Sequence, residues 1–269
     1  MTKGTKTRSF QSGADSHPDL GFQRVKSVYT VREISQLFGL PARVIRRWTG
    51  EGLIHAIPNE SGPDPLYDFR ALTQFRRIRE MRANGLTPGQ IDVQLAGQLS
   101  LFEAGQGQLL AMPKRMSSFE EGLLLHEKGD QAAEACYRKS ILDGEYVADA
   151  YCNLGLLQYE AGDHLRAVDC LTLSLKNDPR HFESHFNLAN LYFDLGDLRL
   201  ARLHYEIAIQ IEPCFAHLHF NLALVHIREG DVESAIAALR KCEEHTPEDE
   251  RPEVEGLLFK LEELKKRAG

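Results

Sequence analysis

The chain is poor in what marks membrane, secreted and metal-dependent proteins. No apolar run among its 269 residues approaches the roughly 18 needed to cross a bilayer, and the N-terminus has no apolar core of signal-peptide type. A cytoplasmic protein without membrane attachment is therefore expected. Its five cysteines (Cys136, Cys152, Cys170, Cys214 and Cys242) include no C-x-x-C pair, which argues against a disulfide framework or a zinc ribbon. They read as reduced thiols within helices. Also missing are a phosphate-cradling glycine loop, a pair of catalytic carboxylates and a nucleophile with its base, so neither an enzyme nor a cofactor is expected.

What the chain does have is a period. Ala133, Ala167, Ala201 and Ala235 recur every 34 residues, a helix-turn-helix solenoid spacing. Gly162-Asp163, Gly196-Asp197 and Gly230-Asp231 precede three of them, and Pro179, Pro213 and Pro247 follow. Each alanine is expected where the two helices of a repeat come closest, opposite Gly155, Ala189 and Ala223, with Tyr137, Leu171, Tyr205 and Leu239 filling the layer behind. The Gly-Asp pairs supply left-handed turns, and the prolines stop the second helices. The first unit departs from the pattern, with Gly129-Asp130 one residue closer to its alanine and Gly144-Glu145 in place of the proline. These positions together resemble the tetratricopeptide repeat over residues 116–249. A final amphipathic helix, 250–269, is expected to cap the solenoid.

Charge divides the chain. The first 100 residues carry 14 Lys/Arg against 9 Asp/Glu, while the remaining 169 carry 18 against 30. A basic head on an acidic body suggests nucleic-acid contact at the basic end. Residues 1–26, rich in Thr, Ser, Gly and Lys, read as a disordered arm. Within the head, Thr30-Val31-Arg32-Glu33 is a capping box ahead of Ile34, Leu37 and Phe38, and Gly39 closes that helix. Pro41 opens a second helix with Val44, Ile45 and Trp48 inward and Arg43, Arg46 and Arg47 outward. Residues 54–67 read as a loop or two-stranded wing. A longer helix then starts at Asp68, with Phe69, Leu72, Phe75, Ile78 and Met81 inside and Arg70, Arg76, Arg77, Arg79 and Arg82 mostly outside. Thr87 to Gln90 form a second capping box.

The order and spacing of Tyr29 to Ile34, Val44 to Trp48, Gly52-Leu53-Ile54, Leu66-Tyr67 and Asn84 to Thr87 resemble the winged helix-turn-helix of the mercury-resistance-regulator (MerR) family over residues 27–96. The resemblance implies double-stranded DNA as partner, with Arg43, Arg46 and Arg47 contacting groove or phosphates and Arg70 and Arg76 assisting. Three features depart from that family. Pro41 replaces a serine cap and Arg47-Trp48 an aromatic pair, Asp64-Pro65 stands where the wing has a basic residue, and a Gly/Gln-rich linker, 97–115, replaces the long pairing helix. The oligomeric state is left open.

Two further signals bear on partners. Asn153, Asn187 and Asn221 share the sixth position of successive first helices, where an amide ladder could hold a peptide backbone beside Phe119, Phe186, Asn190, Phe193, Phe220 and Leu224. The same asparagines could equally serve local helix contacts. In the linker, Gln98-Leu99-Ser100-Leu101-Phe102 resembles the pentapeptide by which many bacterial proteins bind the polymerase sliding clamp, or it could pin the linker to a domain. Among the 11 histidines, His185 and His219 take the packing position of Tyr151, and no metal site is expected. The expected protein is mostly α, a winged helix-turn-helix joined to an α-solenoid. As a function, this suggests a bacterial, nucleoid-associated transcriptional regulator with a protein or peptide partner in the repeat groove. The alternatives are a replication-linked adaptor and a scaffold that never touches DNA.

Overall fold

A computed structural model describes residues 26, 28–59, 62–104, 116–248 and 251–268, without the side chains of 70, 97–104 and 268. All but the last residue of the expected arm lies outside that description. Thirteen helices and two short strands are present among the described residues. In the head, β1 (Val28–Thr30) leads into α1 (Val31–Phe38), α2 (Ala42–Gly50), β2 (Leu66–Asp68), α3 (Phe69–Ala83) and α4 (Pro88–Ala104). The strands pair antiparallel with Tyr29 opposite Tyr67, and Ile57 bridges to Leu66, so the wing is a narrow ribbon.

The local signals explain these boundaries. Thr30 and Glu33 form the reciprocal capping box at the start of α1, and Gly39 ends it in the left-handed region at φ 57°. Asp68 caps α3 by accepting from Ala71 N–H at 2.8 Å. Thr87 and Gln90 cap α4 reciprocally. That last helix runs through Gly97 and on to Ala104, so the first part of the expected flexible linker is helical. Gly97 and the glutamines do not stop a helix that began well capped and whose interior carries Leu and Ala.

The body consists of four helix pairs followed by a final helix. They are α5 (Ser118–Glu127) with α6 (Ala132–Leu142), α7 (Val147–Glu160) with α8 (His164–Asn177), α9 (Phe182–Asp194) with α10 (Leu198–Ile211), α11 (Ala216–Glu229) with α12 (Val232–His245), and then α13 (Arg251–Ala268). The four periodic alanines are fully buried, as are the Tyr and Leu layers behind them. A Cβ added at Gly155 would lie 2.9 Å from Leu171 Cγ, and one at Gly122 would lie 2.8 Å from the Tyr137 ring, so glycine is required by the close helix approach. In the later repeats the turn glycine takes positive φ and the aspartate after it caps the second helix, with Asp163, Asp197 and Asp231 accepting from Arg166, Leu200 and Ser234 N–H. The atypical first repeat caps α6 from Gln131 without a side-chain bond. Cys214 lies in the turn between α10 and α11, not inside a helix as expected.

Head and body share one buried core. An apolar cluster runs continuously from Tyr29, Ile34 and Trp48 through Phe69 and Phe75 of α3 to Phe119, Phe182, Phe186 and Phe215 of the repeats. The Phe69 ring packs on Phe119 and on Tyr146, each with centroids 4.9 Å apart. Tyr146 precedes α7 at φ 49°, the left-handed region that non-glycine residues rarely occupy. It stands in the segment where the later repeats have a proline, and that departure turns its ring toward the head. Burial of the ring against Phe69 and Phe119 offsets the backbone cost, typically about 1–3 kcal/mol.

Candidate nucleic-acid interface

Helix α2 presents its arginines as the sequence predicts. Ile45 and Trp48 are buried, and Arg43, Arg46 and Arg47 are exposed in the whole assembled chain, so docking onto the repeats leaves this face open. Two of the three meet carboxylates. Arg46 makes a bidentate pair with Asp64 of the wing, Nε to Oδ1 at 2.7 Å and Nη2 to Oδ2 at 2.9 Å. Both partners are about half exposed, where such pairs contribute little stability. The pair nonetheless sets direction, holding the guanidinium toward the ribbon. Arg47 Nη2 donates to Asp92 of α4 at 2.9 Å, and Trp48 Nε1 donates to the same carboxylate at 2.6 Å. One aspartate thus fixes the indole in the core and steers the neighbouring arginine. Neither carboxylate had been given a role from sequence; Asp64 stood out only as a departure from the MerR pattern.

Arg76 sits elsewhere than expected. Its side chain is 19 % exposed and reaches the repeats, with Nη1 2.8 Å from Asp149 Oδ1 and Nη2 2.9 Å from Glu183 Oε1. Three residues on, Arg79 pairs with Glu212 and lies over the Phe38 ring, 5.9 Å from its centroid. Arg82 donates to the Phe38 carbonyl at 2.9 Å. Arg76 and Arg79 of α3 therefore face the repeats, and Arg76 does not belong with the exposed arginines. The side chain of Arg70 lies outside the described residues.

Around Arg76 the charges are closely balanced. His181 Nε2 lies 3.2 Å from Asp149 Oδ1, and its Nδ1 lies 3.5 Å from Glu183 Oε2. Burial works to raise the Asp149 carboxyl, but Arg76 and then His181 outweigh it and hold it well below the usual carboxylate range. Glu183 is lowered in the same way, with burial opposed first by Arg76 and then by His181. Glu212 goes the other way, because its burial exceeds the pull of Arg79 and pushes it up to about 7. At the near end of this surface the turn at Gly39 abuts Cys214, and a Cβ at Gly39 would sit 2.7 Å from Cys214 Sγ.

The expected peptide groove is not open. Asn153, Phe186, Asn187, Asn190, Phe193 and Asn221 are all at most 1 % exposed. The asparagines bond within the solenoid, Asn153 Nδ2 donating to Tyr137 Oη at 3.2 Å and Asn221 Nδ2 to Asn190 Oδ1 at 3.1 Å, while Tyr205 Oη also donates to Asn190. Asn187 Nδ2 meets Cys152 Sγ at 3.7 Å. The asparagine bonds join each first helix to the repeat before it. Phe119 is covered by Phe69 of the head, Phe193 lies under the Arg228 guanidinium at 4.7 Å, and the half-buried Phe220 packs toward α13. Leu224 is half-buried against the shared core. Gln98, Leu99, Ser100, Leu101 and Phe102 have helical backbone within α4, which removes the flexible setting expected for a clamp motif. His185 and His219 each place Nε2 near the carbonyl of the proline six residues earlier, at 3.1 and 2.8 Å, and no group of three potential metal ligands occurs among the described residues. Among those residues, no helix is long and apolar enough to cross a membrane.

Comparison with known proteins agrees with the two-part architecture. Residues 29–97 match the MerR HTH family regulatory protein description, and residues 152–213 and 186–250 match the tetratricopeptide repeat. Among solved structures, the crystal structure of MamA is 20 % identical over 55 % of this chain and 95 % of its own, with a TM-score of 0.44. A MamA RS-1 double mutant is 18 % identical over 59 % and 98 %, at 0.46. The first TPR of Spaghetti (RPAP3), bound to an HSP90 peptide, is 19 % identical over 44 % and 93 %, at 0.41. Among curated proteins, none matches the chain.

Proposed function

We propose that this chain, a MerR-type helix-turn-helix joined to tetratricopeptide repeats, is a bacterial transcriptional regulator that holds duplex DNA through α2 and takes a protein partner on its repeats. The observation that carries the reading is the exposure of Arg43, Arg46 and Arg47 on one helix while the head is docked on the body. Cations on the outer face of the second helix can reach phosphates and base edges, and the ribbon that holds Asp64 lies beside them. Arg46 is paired in the free protein, so DNA must take it from Asp64. Phosphate can do so because two of its oxygens also accept a bidentate pair of hydrogen bonds from the guanidinium.

The test is a titration of labelled duplex DNA with the full chain at several salt concentrations. Affinity should fall linearly on logarithmic axes as salt rises, since each neutralised phosphate releases counterions. Arg43→Ala and Arg46→Ala should each weaken binding by about 5- to 150-fold if they reach base edges. Undiminished affinity in both variants, or binding that ignores salt, would leave the scaffold reading in its place.

A further inference from the structure

Asp149 and Glu183 occupy the same place in successive repeats, 34 residues apart, at the start of α7 and α9, and Glu212 lies just before α11. The repeat fold does not demand acids there, because the matching residue of the next repeat is His217. What they share is a neighbour, the outer face of α3. On that helix Phe69, Arg76 and Arg79 fall at i, i+7 and i+10, along one stripe. The aromatic enters between Phe119 and Tyr146, and the two arginines meet the three carboxylates. Farther round the same helix, Phe75 packs on Phe38 and Tyr67 of the head. Helix α3 is thus held from both sides, and its contact with the repeats is that of an amphipathic helix laid on a charged and aromatic surface.

We propose that the surface formed by Phe119, Tyr146, Asp149, Glu183 and Glu212 is a docking site for an arginine-bearing amphipathic helix, with α3 as its resident occupant. A protein partner of the same chemistry, one aromatic followed by arginines seven and ten residues on, binds there only by lifting the head from the repeats. The proposal rests on the reading that the repeats take a protein partner, and it names that partner's chemistry and its competitor. The other surface expected to receive a peptide, the asparagine ladder, is closed by its own hydrogen bonds. Charge complementarity specifies the partner. Three carboxylates face two arginines and His181, so an acidic or neutral helix would leave buried carboxylates without a cation.

The test uses the full chain and a fluorescent peptide of residues 69–83 as probe. The wild-type chain should bind it weakly, because the site is filled. An Arg76→Glu/Arg79→Glu chain, whose head is repelled from the acidic row, should bind it at least tenfold more tightly. Asp149→Lys/Glu183→Lys should release the head yet fail to bind the peptide. Equal binding by wild type and the Arg76→Glu/Arg79→Glu chain, or none by that chain while circular dichroism shows its helices intact, overturns the proposal. Should the double variant lose its helices, the milder Arg79→Gln chain takes its place, and tighter peptide binding than wild type is again required. DNA titration of the same proteins separates the two readings. Helix α2 is untouched in all of them, so loss of DNA binding by the wild type itself speaks against the regulator, and peptide exchange speaks only to the docking site.

Discussion

Asn190 shows how one side chain can be assigned to the wrong surface. From sequence it joins a row of amides that could face a peptide, yet in the fold its carbonyl oxygen accepts from both Asn221 and Tyr205, and the residue is fully buried. Asn190→Ala should therefore destabilise the repeats by about 1–3 kcal/mol, because two buried donors lose their acceptor. Urea denaturation followed by circular dichroism reads the change. A stable variant with impaired partner binding would return the amide row to the groove. The six-residue link from His185 or His219 back to a proline carbonyl is a similar case, since a polar residue at a packing position meets a carbonyl of the turn after the preceding helix.

At the scale of elements, the sequence was legible wherever the signal was local. Capping boxes at Thr30 and Thr87, the glycine stop after α1, the aspartate start of α3 and the 34-residue alanine period all mark short-range geometry, and the elements form there. Residues 54–67 read as a loop or a wing, and the strand before α1 is not legible, because three residues carry no periodicity to read. The arginines of α2 and α3 look alike in sequence. Nothing local separates an arginine facing solvent from one facing an acid 73 or 107 residues away, as Arg76 does. The available signal was the repetition of an acid at Asp149 and Glu183 at a position the repeat does not need. Among the exposed arginines, the tether to the wing has a consequence that can be measured. Asp64→Asn should free Arg46 and remove a negative charge beside the proposed DNA face, raising affinity a few-fold at low salt and steepening its salt dependence. Unchanged affinity and slope in that variant would show that the carboxylate does not restrain Arg46.

For the whole molecule, the shared core means that head and repeats should not behave as two beads on a string. Part of their union is ionic and has a defined pH sense. The Asp149 and Glu183 carboxyls are lowered from ordinary values of 3.8 and 4.5, so the stability they confer is fully present above about pH 4.5. It is lost as pH falls through their depressed native values. Thermal melts of the full chain should fall accordingly from about pH 4.5 down to pH 3, whereas Glu212, pushed up to about 7, adds stability as pH falls from 7 toward 4.5. Arg76→Ala should flatten that acid limb and cost about 3–5 kcal/mol at pH 7, since it leaves two buried carboxylates facing His181 alone. An Arg76→Ala melt that follows the wild-type pH profile would mean that the ionic cluster does not hold the head in place.

Cys214, pressed against the turn at Gly39, makes the chain its own reporter of that union. Burial pushes its thiol pKa up, and the Gly39 turn packs against one side of the half-buried side chain, which restricts a bulky reagent while the head is seated. The rate at which a bulky maleimide modifies this one cysteine, read by peptide mass spectrometry, is thus a clock for how often the head stands away from the repeats. In the wild-type protein that clock should run slowly. The Arg76→Glu/Arg79→Glu chain should speed it at least tenfold without changing labelling at the buried Cys152, which lies within the repeats. Equal rates at Cys214 in the two proteins would mean that the head remains seated without its arginines, held by Phe69 and its aromatic partners.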